Sequence, residues 1–295
     1  MRKRRFFALL LACVGSLLFS VPFSLSVWND WNSQRLVNSW SGYLARFTEE
    51  EKAQWNKQAE EYRRMADTGG QKSVVDPFSQ HALPMKNPFS GFDVSDPVGV
   101  VHIPSLDLHM RLYLSATEEN LEKGAAVIDG TDLPLGGKGR RSVIAGHRGW
   151  YGPVYFLHLD QLEAGDRIIL EVLNQTLVYE VKDKEVIAPY ETEKLAPKKE
   201  EDIITLLTCD PYPLFTDRLL VNAVRTESPR EEPSESASEV VSDEIKSEPQ
   251  LAVHETVHGG IVFRRVLFIA LSLLGIAALV FSAVLAYREW RKRQG

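Results

Sequence analysis

The sequence predicts a mostly β domain, a closed barrel or sandwich of about eight short strands, carried between two membrane-spanning segments. Three observations predict it. Short apolar or alternating runs recur from residue 97 onward, separated by Gly, Pro and Asp. The chain begins with a basic cluster and a long apolar run. It ends with an uncharged apolar run and a second basic cluster.

The N-terminal element is Arg2-Lys3-Arg4-Arg5 followed by an apolar run from Phe6 to Val27. That is long enough to cross a bilayer, and an uncleaved signal anchor is favoured over a cleaved signal peptide. Small residues near Ser24 and Ser26 permit cleavage without requiring it. Residues 29–66 read as helical. Thr48 and Glu51 have the spacing of a capping box, and Gly69-Gly70 ends the run. Trp31, Trp40, Tyr43, Phe47, Trp55 and Tyr62 give these helices an aromatic face suited to packing on the domain or the membrane surface. Residues 71–94 read as a loop with three prolines, and a loop of that length often serves as a lid or is disordered.

Eight strands are expected at Val98–Ile103, Leu108–Leu114, Ala125–Ile128, Ser142–Ala145, Arg167–Leu173, Gln175–Lys184, Ile203–Thr208 and Leu219–Val224. Asn174 marks a hairpin turn. Short helices are expected near Thr117–Lys123 and Pro153–Leu162. After Arg225 the chain turns Glu-, Ser- and Pro-rich, a composition that buries too little apolar surface to fold. Val266 to Tyr287 is the second apolar run, with Arg288, Arg291, Lys292 and Arg293 beyond it. By the positive-inside rule both tips are cytoplasmic and the domain faces outward.

The net charge of -6 is local in origin. Residues 227–255 hold nine acidic and two basic side chains, so the rest of the chain is nearly neutral. No basic patch interleaves with aromatics, and nucleic acid is not an expected partner. No zinc spacing, phosphate loop or dinucleotide fingerprint occurs, so no metal and no cofactor are expected.

Of two cysteines, Cys13 lies in the N-terminal apolar run. Cys209 is therefore the one thiol of the soluble part, with no intrachain disulfide open to it. It follows the apolar strand ending at Thr208, and Pro211 and Pro213 forbid continuation of that ladder. Arg218 opens the next strand and supplies the cation that a thiolate needs. A strand-end Cys is also commonly a small buried hydrophobe. His147 stands between Gly146 and Arg148-Gly149, just past another strand. A Cys and a His at the ends of separate strands meet at one rim of a barrel, the arrangement that nucleophilic catalysis requires.

These residues resemble the sortases, membrane-bound cysteine transpeptidases of Gram-positive bacteria. Thr205 to Cys209 is similar to the family's Thr-Leu-x-Thr-Cys motif, and Arg218-Leu219-Leu220-Val221 to the segment holding its arginine. Gly146-His147-Arg148-Gly149 resembles the His motif, and residues 131–137 the loop before it. The resemblance covers roughly Pro97 to Arg225. It implies a closed sortase-type β-barrel with short helices. Cys209 would be the nucleophile, His147 the general acid and base, and Arg218 the group that stabilises substrate or oxyanion. The second span, the helical extension and Asp76-Pro77-Phe78 resemble the pilus-assembling class C sortases. There an Asp-Pro-aromatic lid lies over the site. Asp76 would then face Arg218, and Phe78 would cover Cys209. Asp210, Asp217 and Pro213-Leu214-Phe215 depart from the class pattern, and carboxylates facing inward there would raise the Cys209 pKa.

The expected organisation is a signal anchor or signal peptide (1–28), a helical extension (29–70) and a lid loop (71–96). The barrel (97–226), an acidic tether (227–260), a transmembrane helix (261–287) and a basic tail (288–295) follow. The expected partners are the membrane, pilin or surface proteins with a Leu-Pro-x-Thr-Gly-like (LPxTG-like) sorting signal, and an acceptor amine. That amine is a pilin Lys, or a peptidoglycan cross-bridge in the alternative of a wall-anchoring sortase. A hydrolytic cysteine peptidase and a non-enzymatic tethered adhesin or scaffold are the remaining alternatives.

Overall fold

The computed structural model describes residues 2–37, 40–68, 74–78, 88–149, 155–226, 257 and 259–294. Most of the expected acidic tether, the expected helix stop Gly69-Gly70, residues 71–73 and 79–87 of the expected lid loop, and residues 153–154 lie outside them. Eight strands close into one barrel in the order β1-β2-β3-β4-β7-β8-β6-β5. They are β1 (Gly99–Ile103), β2 (Leu108–Tyr113), β3 (Ala125–Val127), β4 (Arg140–Ala145), β5 (Arg167–Val172), β6 (Gln175–Ile187), β7 (Asp202–Asp210) and β8 (Asp217–Arg225). All eight expected strands form, and closure leaves no strand edge unpaired.

Neighbouring residues of one strand serve two apolar clusters, as the two-residue side-chain period demands. Ile204 and Leu206 of β7 enter the main core with Leu112, Ile144, Leu170 and Val221. Leu207 joins a second cluster on the opposite face, with Val143, Ala145, Ile187 and Leu220. That face is covered by Leu121 of α4 (Glu118–Lys123) and by Leu195. Thr117 caps α4 by accepting from the Asn120 N–H at 3.2 Å.

Three helices precede the barrel: α1 (Arg2–Val37), α2 (Trp40–Leu44) and α3 (Glu49–Thr68). The capping box forms at α3, where the Glu51 N–H donates to Thr48 Oγ1 and the Thr48 N–H donates to Glu51 Oε2. Trp55 is buried in the main core, and Tyr43, Phe47 and Tyr62 pack against it, so the aromatic face seats the helices on the barrel. Trp31 is exposed.

The structure replaces one expected helix and lengthens four strands, β4 from Arg140, β6 to Ile187, β8 over Asp217–Arg225, and β7. Residues 155–162 hold turns and one 3-10 turn (Leu159–Gln161) in place of a helix. Phe156, Leu159 and Leu162 bury at a spacing of three, the period of that tighter turn. Strand β7 runs to Asp210, two residues past the expected end. A residue before proline favours the extended conformation, so the ladder stops only at Pro211.

The last helix, α5, spans Gly259–Gln294. Phe7–Trp28 and Gly259–Arg288 are long and apolar enough to cross a membrane. The two helices pack antiparallel. Cys13 Sγ lies 3.3 Å from Ser282 Oγ, Ser24 Oγ lies 2.7 Å from Ser272 Oγ, and the rings of Phe23 and Phe268 meet edge to face. A Cβ on Gly275 would come within 2.6 Å of Ser20 Cβ, so this close approach requires the glycine.

Candidate active site

Parallel pairing of β4 with β7 brings His147 and Cys209 together. The register sets Ala145 beside Leu207. The Gly146 N–H then donates to the Leu207 carbonyl at 3.1 Å, and Thr208 Oγ1 donates to the Gly146 carbonyl at 2.8 Å. Continuing that register sets His147 level with Cys209. On the other side β8 pairs antiparallel with β7, and Cys209 and Arg218 are direct partners. By the two-residue period both project on the face of Leu207 and Leu220. Cys209 thus lies inside the last rungs of the ladder, between a His-bearing strand end and a strand that opens with a cation.

The motif residues around the thiol have structural tasks. Thr205 is fully buried and takes part in a hydrogen-bond network. Arg141 Nε donates to its Oγ1 at 2.9 Å, and that hydroxyl donates to Asn222 Oδ1 at 2.9 Å. Arg141 Nη2 donates to the same Asn222 oxygen at 2.6 Å. This satisfied network ties β4, β7 and β8 together beneath the site. Gly146 admits Phe156, whose ring would lie 2.7 Å from any Cβ there. The Phe156 N–H in turn donates to the His147 carbonyl at 3.1 Å, fixing the backbone that carries the imidazole.

Asp76 and Phe78 lie over this rim. Asp76 accepts two parallel hydrogen bonds from Arg218, Nε to Oδ1 and Nη2 to Oδ2, both 2.8 Å. The forked geometry is the strong form of a carboxylate–guanidinium pair, and both side chains are about 8% exposed. The Phe78 ring centroid lies 5.5 Å from that of His147 and 5.2 Å from the Arg218 guanidinium carbon. Val74 and Phe78 pack on the second apolar cluster. Pro77 forms the turn between Asp76 and Phe78.

Burial dominates the titration of both Cys209 and His147. It pushes the Cys209 thiol up; Arg218 and Arg148 pull it down, and Asp76 pushes it further up. Burial pushes the His147 imidazole down, with partial compensation from Glu122 and Glu118. With Asp76 seated, the pair is therefore biased toward neutral thiol and neutral imidazole. The carboxylates flagged in the sequence are engaged elsewhere. Asp210 is bound by Arg148 Nη1, and Asp217 accepts from Thr216 Oγ1 at 2.7 Å.

Arg148 was quoted in the sequence only as part of a motif, and its task emerges from the fold. It is 8% exposed, donates to the Cys209 carbonyl at 3.4 Å, binds Asp210, and pairs with Asp160 at 3.1 Å. One guanidinium thus joins the His147 loop, the Cys209 strand and the 3-10 turn. A buried-side arginine next to a strand-end carboxylate is the only signal that sequence offered. Among the described residues no cluster of three metal-ligating side chains occurs. His102 and His109 stack across β1 and β2 with centroids 4.0 Å apart.

Comparison with known proteins agrees with this geometry. Residues 101–226 match the sortase domain family. Sortase A of Bacillus anthracis is 31% identical over 120 residues, 41% of this chain and 55% of that protein, so the match spans about half of that relative. Among solved structures, sortase C-3 of Streptococcus pneumoniae is 37% identical, with TM-score 0.58, covering 64% of this chain and 90% of the other. A second sortase C of Streptococcus pneumoniae is 28% identical at TM-score 0.60, covering 66% and 97%. Sortase C1 of Streptococcus agalactiae is 29% identical at TM-score 0.59, covering 65% and 97%. With the closed barrel and the Cys209, His147 and Arg218 motifs in matching order, the chain belongs to the sortase family of cysteine transpeptidases.

Proposed function

We propose that this protein cleaves a Leu-Pro-x-Thr-Gly-like sorting signal between Thr and Gly and transfers the acyl fragment to an amine, a pilin Lys during pilus polymerisation. The pairing of Cys209 with Arg218, one parallel strand from His147, carries this reading. The Cys209 thiol gives its proton to His147, and the resulting thiolate attacks the Thr carbonyl carbon. Arg218 stabilises the developing oxyanion or holds the substrate. The carbon–nitrogen bond breaks as His147 gives its proton to the leaving amine, and a thioester remains on Cys209. The incoming amine loses a proton to His147, attacks the thioester and releases the thiolate.

The pilin-directed reading is supported by Asp76, Pro77 and Phe78, which fit a lid role, and by likeness to sortase C structures. The barrel would work outside the cell with both chain tips in the cytoplasm, because the basic clusters lie at those tips. The test incubates detergent-solubilised full-length protein with a sorting-signal peptide and a primary amine. The expected products are the new amide and a thioacyl adduct on Cys209, both absent from Cys209→Ala. Hydrolysis without amide formation would instead make the protein a peptidase. Pilin ladders formed by Cys209→Ala would remove the nucleophile.

A further inference from the structure

The strand directions determine which end of the barrel meets the membrane. β1 runs against β2, β2 runs with β3, and β3 runs against β4, so β1 has the direction of β4. β7 is parallel to β4. The turn after β1, Pro104–Asp107, is therefore on the rim where β4 and β7 deliver His147 and Cys209. β5 is antiparallel to β1, so residues 155–166, which lead into it, lie on this rim too.

The membrane helix α5 docks on that same rim. Arg265 Nη1 binds Asp107 Oδ2, and Arg265 Nη2 donates to the Asp107 carbonyl at 3.1 Å. Ile261, one turn earlier, is 2% exposed and belongs to the barrel's main core, and Val257 packs against that core. Arg264 is close enough to His158 to depress its pKa, and Arg148 acts on the same imidazole. The uncharged stretch Val266–Tyr287 begins at the very next residue. A helix seated by its first two turns and then entering hydrocarbon leaves no slack between barrel and bilayer.

We infer that the rim bearing Cys209, His147 and Arg218 is the membrane-facing surface of the barrel, held there by a bracket of Arg265, Asp107 and Ile261. The partner of this surface is the lipid headgroup layer. Arg264 and Arg265 sit at its level, where cationic side chains with apolar stems are stable. The consequence for chemistry is a directional one: an acyl donor reaches Cys209 most directly when its cleavage site lies close to the bilayer. The orientation depends on α5 spanning the membrane and is independent of the proposed reaction.

The test places single labels on full-length protein with Cys13→Ser and Cys209→Ala. One fluorophore is attached through Leu214→Cys, in the β7–β8 loop of the catalytic rim, and another through Asn174→Cys, in the β5–β6 turn of the opposite rim. Both positions are exposed. The proteins are reconstituted in nanodiscs containing lipids with nitroxide-labelled headgroups. The 214 label is expected to be quenched several-fold more than the 174 label. Asp107→Ala with Arg265→Ala should shrink that difference, and the charge-swapped pair Asp107→Arg with Arg265→Asp should restore it. Equal quenching at both rims, or stronger quenching at 174, would overturn the orientation. An undiminished difference in the alanine pair would overturn the bracket. Because no step requires catalysis, these outcomes are separate from those of the transpeptidase assay.

Discussion

Burial pushes the Cys209 thiol up, and a carboxylate from outside β4, β7 and β8 adds to that push. Asp76 occupies the forked face of Arg218 and adds a negative charge near the thiol. Asp76→Ala together with Phe78→Ala should raise the alkylation rate of Cys209 at neutral pH several-fold, because the thiol loses both cover and a carboxylate that pushes its pKa up. An unchanged rate would show that neither side chain restrains the thiol. Arg148 makes a separate prediction. Arg148→Met strands the half-buried Asp210 without its cation and should cost about 3 kcal/mol in denaturant unfolding. Asp160 is half exposed, so Asp160→Asn should cost under about 1 kcal/mol. The strand-end positions of Cys209, His147 and Arg218 were legible in the sequence. Arg148 was not, because it and its partners come from three segments that meet only when the barrel closes.

Among the elements, β1 and β2 carry a pH dependence. His102 and His109 stack across this pair; burial and mutual repulsion push His102 down to about 4, and burial also lowers His109, with Asp107 opposing both. His158, on the preceding segment of β5, is likewise pushed down to about 4 by burial and by Arg264. Between the unfolded value of 6.5 and these folded values the unfolded chain binds more protons, so stability falls as the pH drops from about 6.5 toward 4. Melting temperatures measured across that range should decline, and His102→Gln with His109→Gln should flatten the decline. A slope untouched by the double substitution would assign the dependence elsewhere. Strand positions were legible from alternation and turn residues, as were the capping box and the Thr117 cap. The parallel β4–β7 pairing was not, since it joins strands far apart in sequence and leaves no local pattern. The expected helix over 153–162 is replaced in its described part by turns, because Phe156, Leu159 and Leu162 repeat at three rather than about 3.6.

At the scale of the molecule, two spans and a barrel form one connected body. The small residues where α1 meets α5 give a direct check on retention of the N-terminal segment. Cys13 and Ser282 nearly touch, so Ser282→Cys should form a bridge to Cys13 on mild oxidation of membranes, visible as a mobility shift. Gly275→Ile should reduce the yield several-fold by forcing Ser20 away. Absence of the bridge in the protein with Gly275 intact would mean that α1 is not paired with α5. Both apolar runs were legible from length and composition, but their pairing depends on Ser, Gly and Cys placements that composition does not weight.

The single hydroxyl bond from Thr208 to Gly146 joins residues 62 positions apart. Its consequence is one of timing. Contacts of such separation form late, after the loop entropy between them has been overcome. While the chain is still emerging, Cys209 follows an isolated strand and His147 has no defined partner. On the proposed mechanism, Cys209 would meet its base only when β4 and β7 lie side by side, so barrel closure would be the point at which the thiol gains His147.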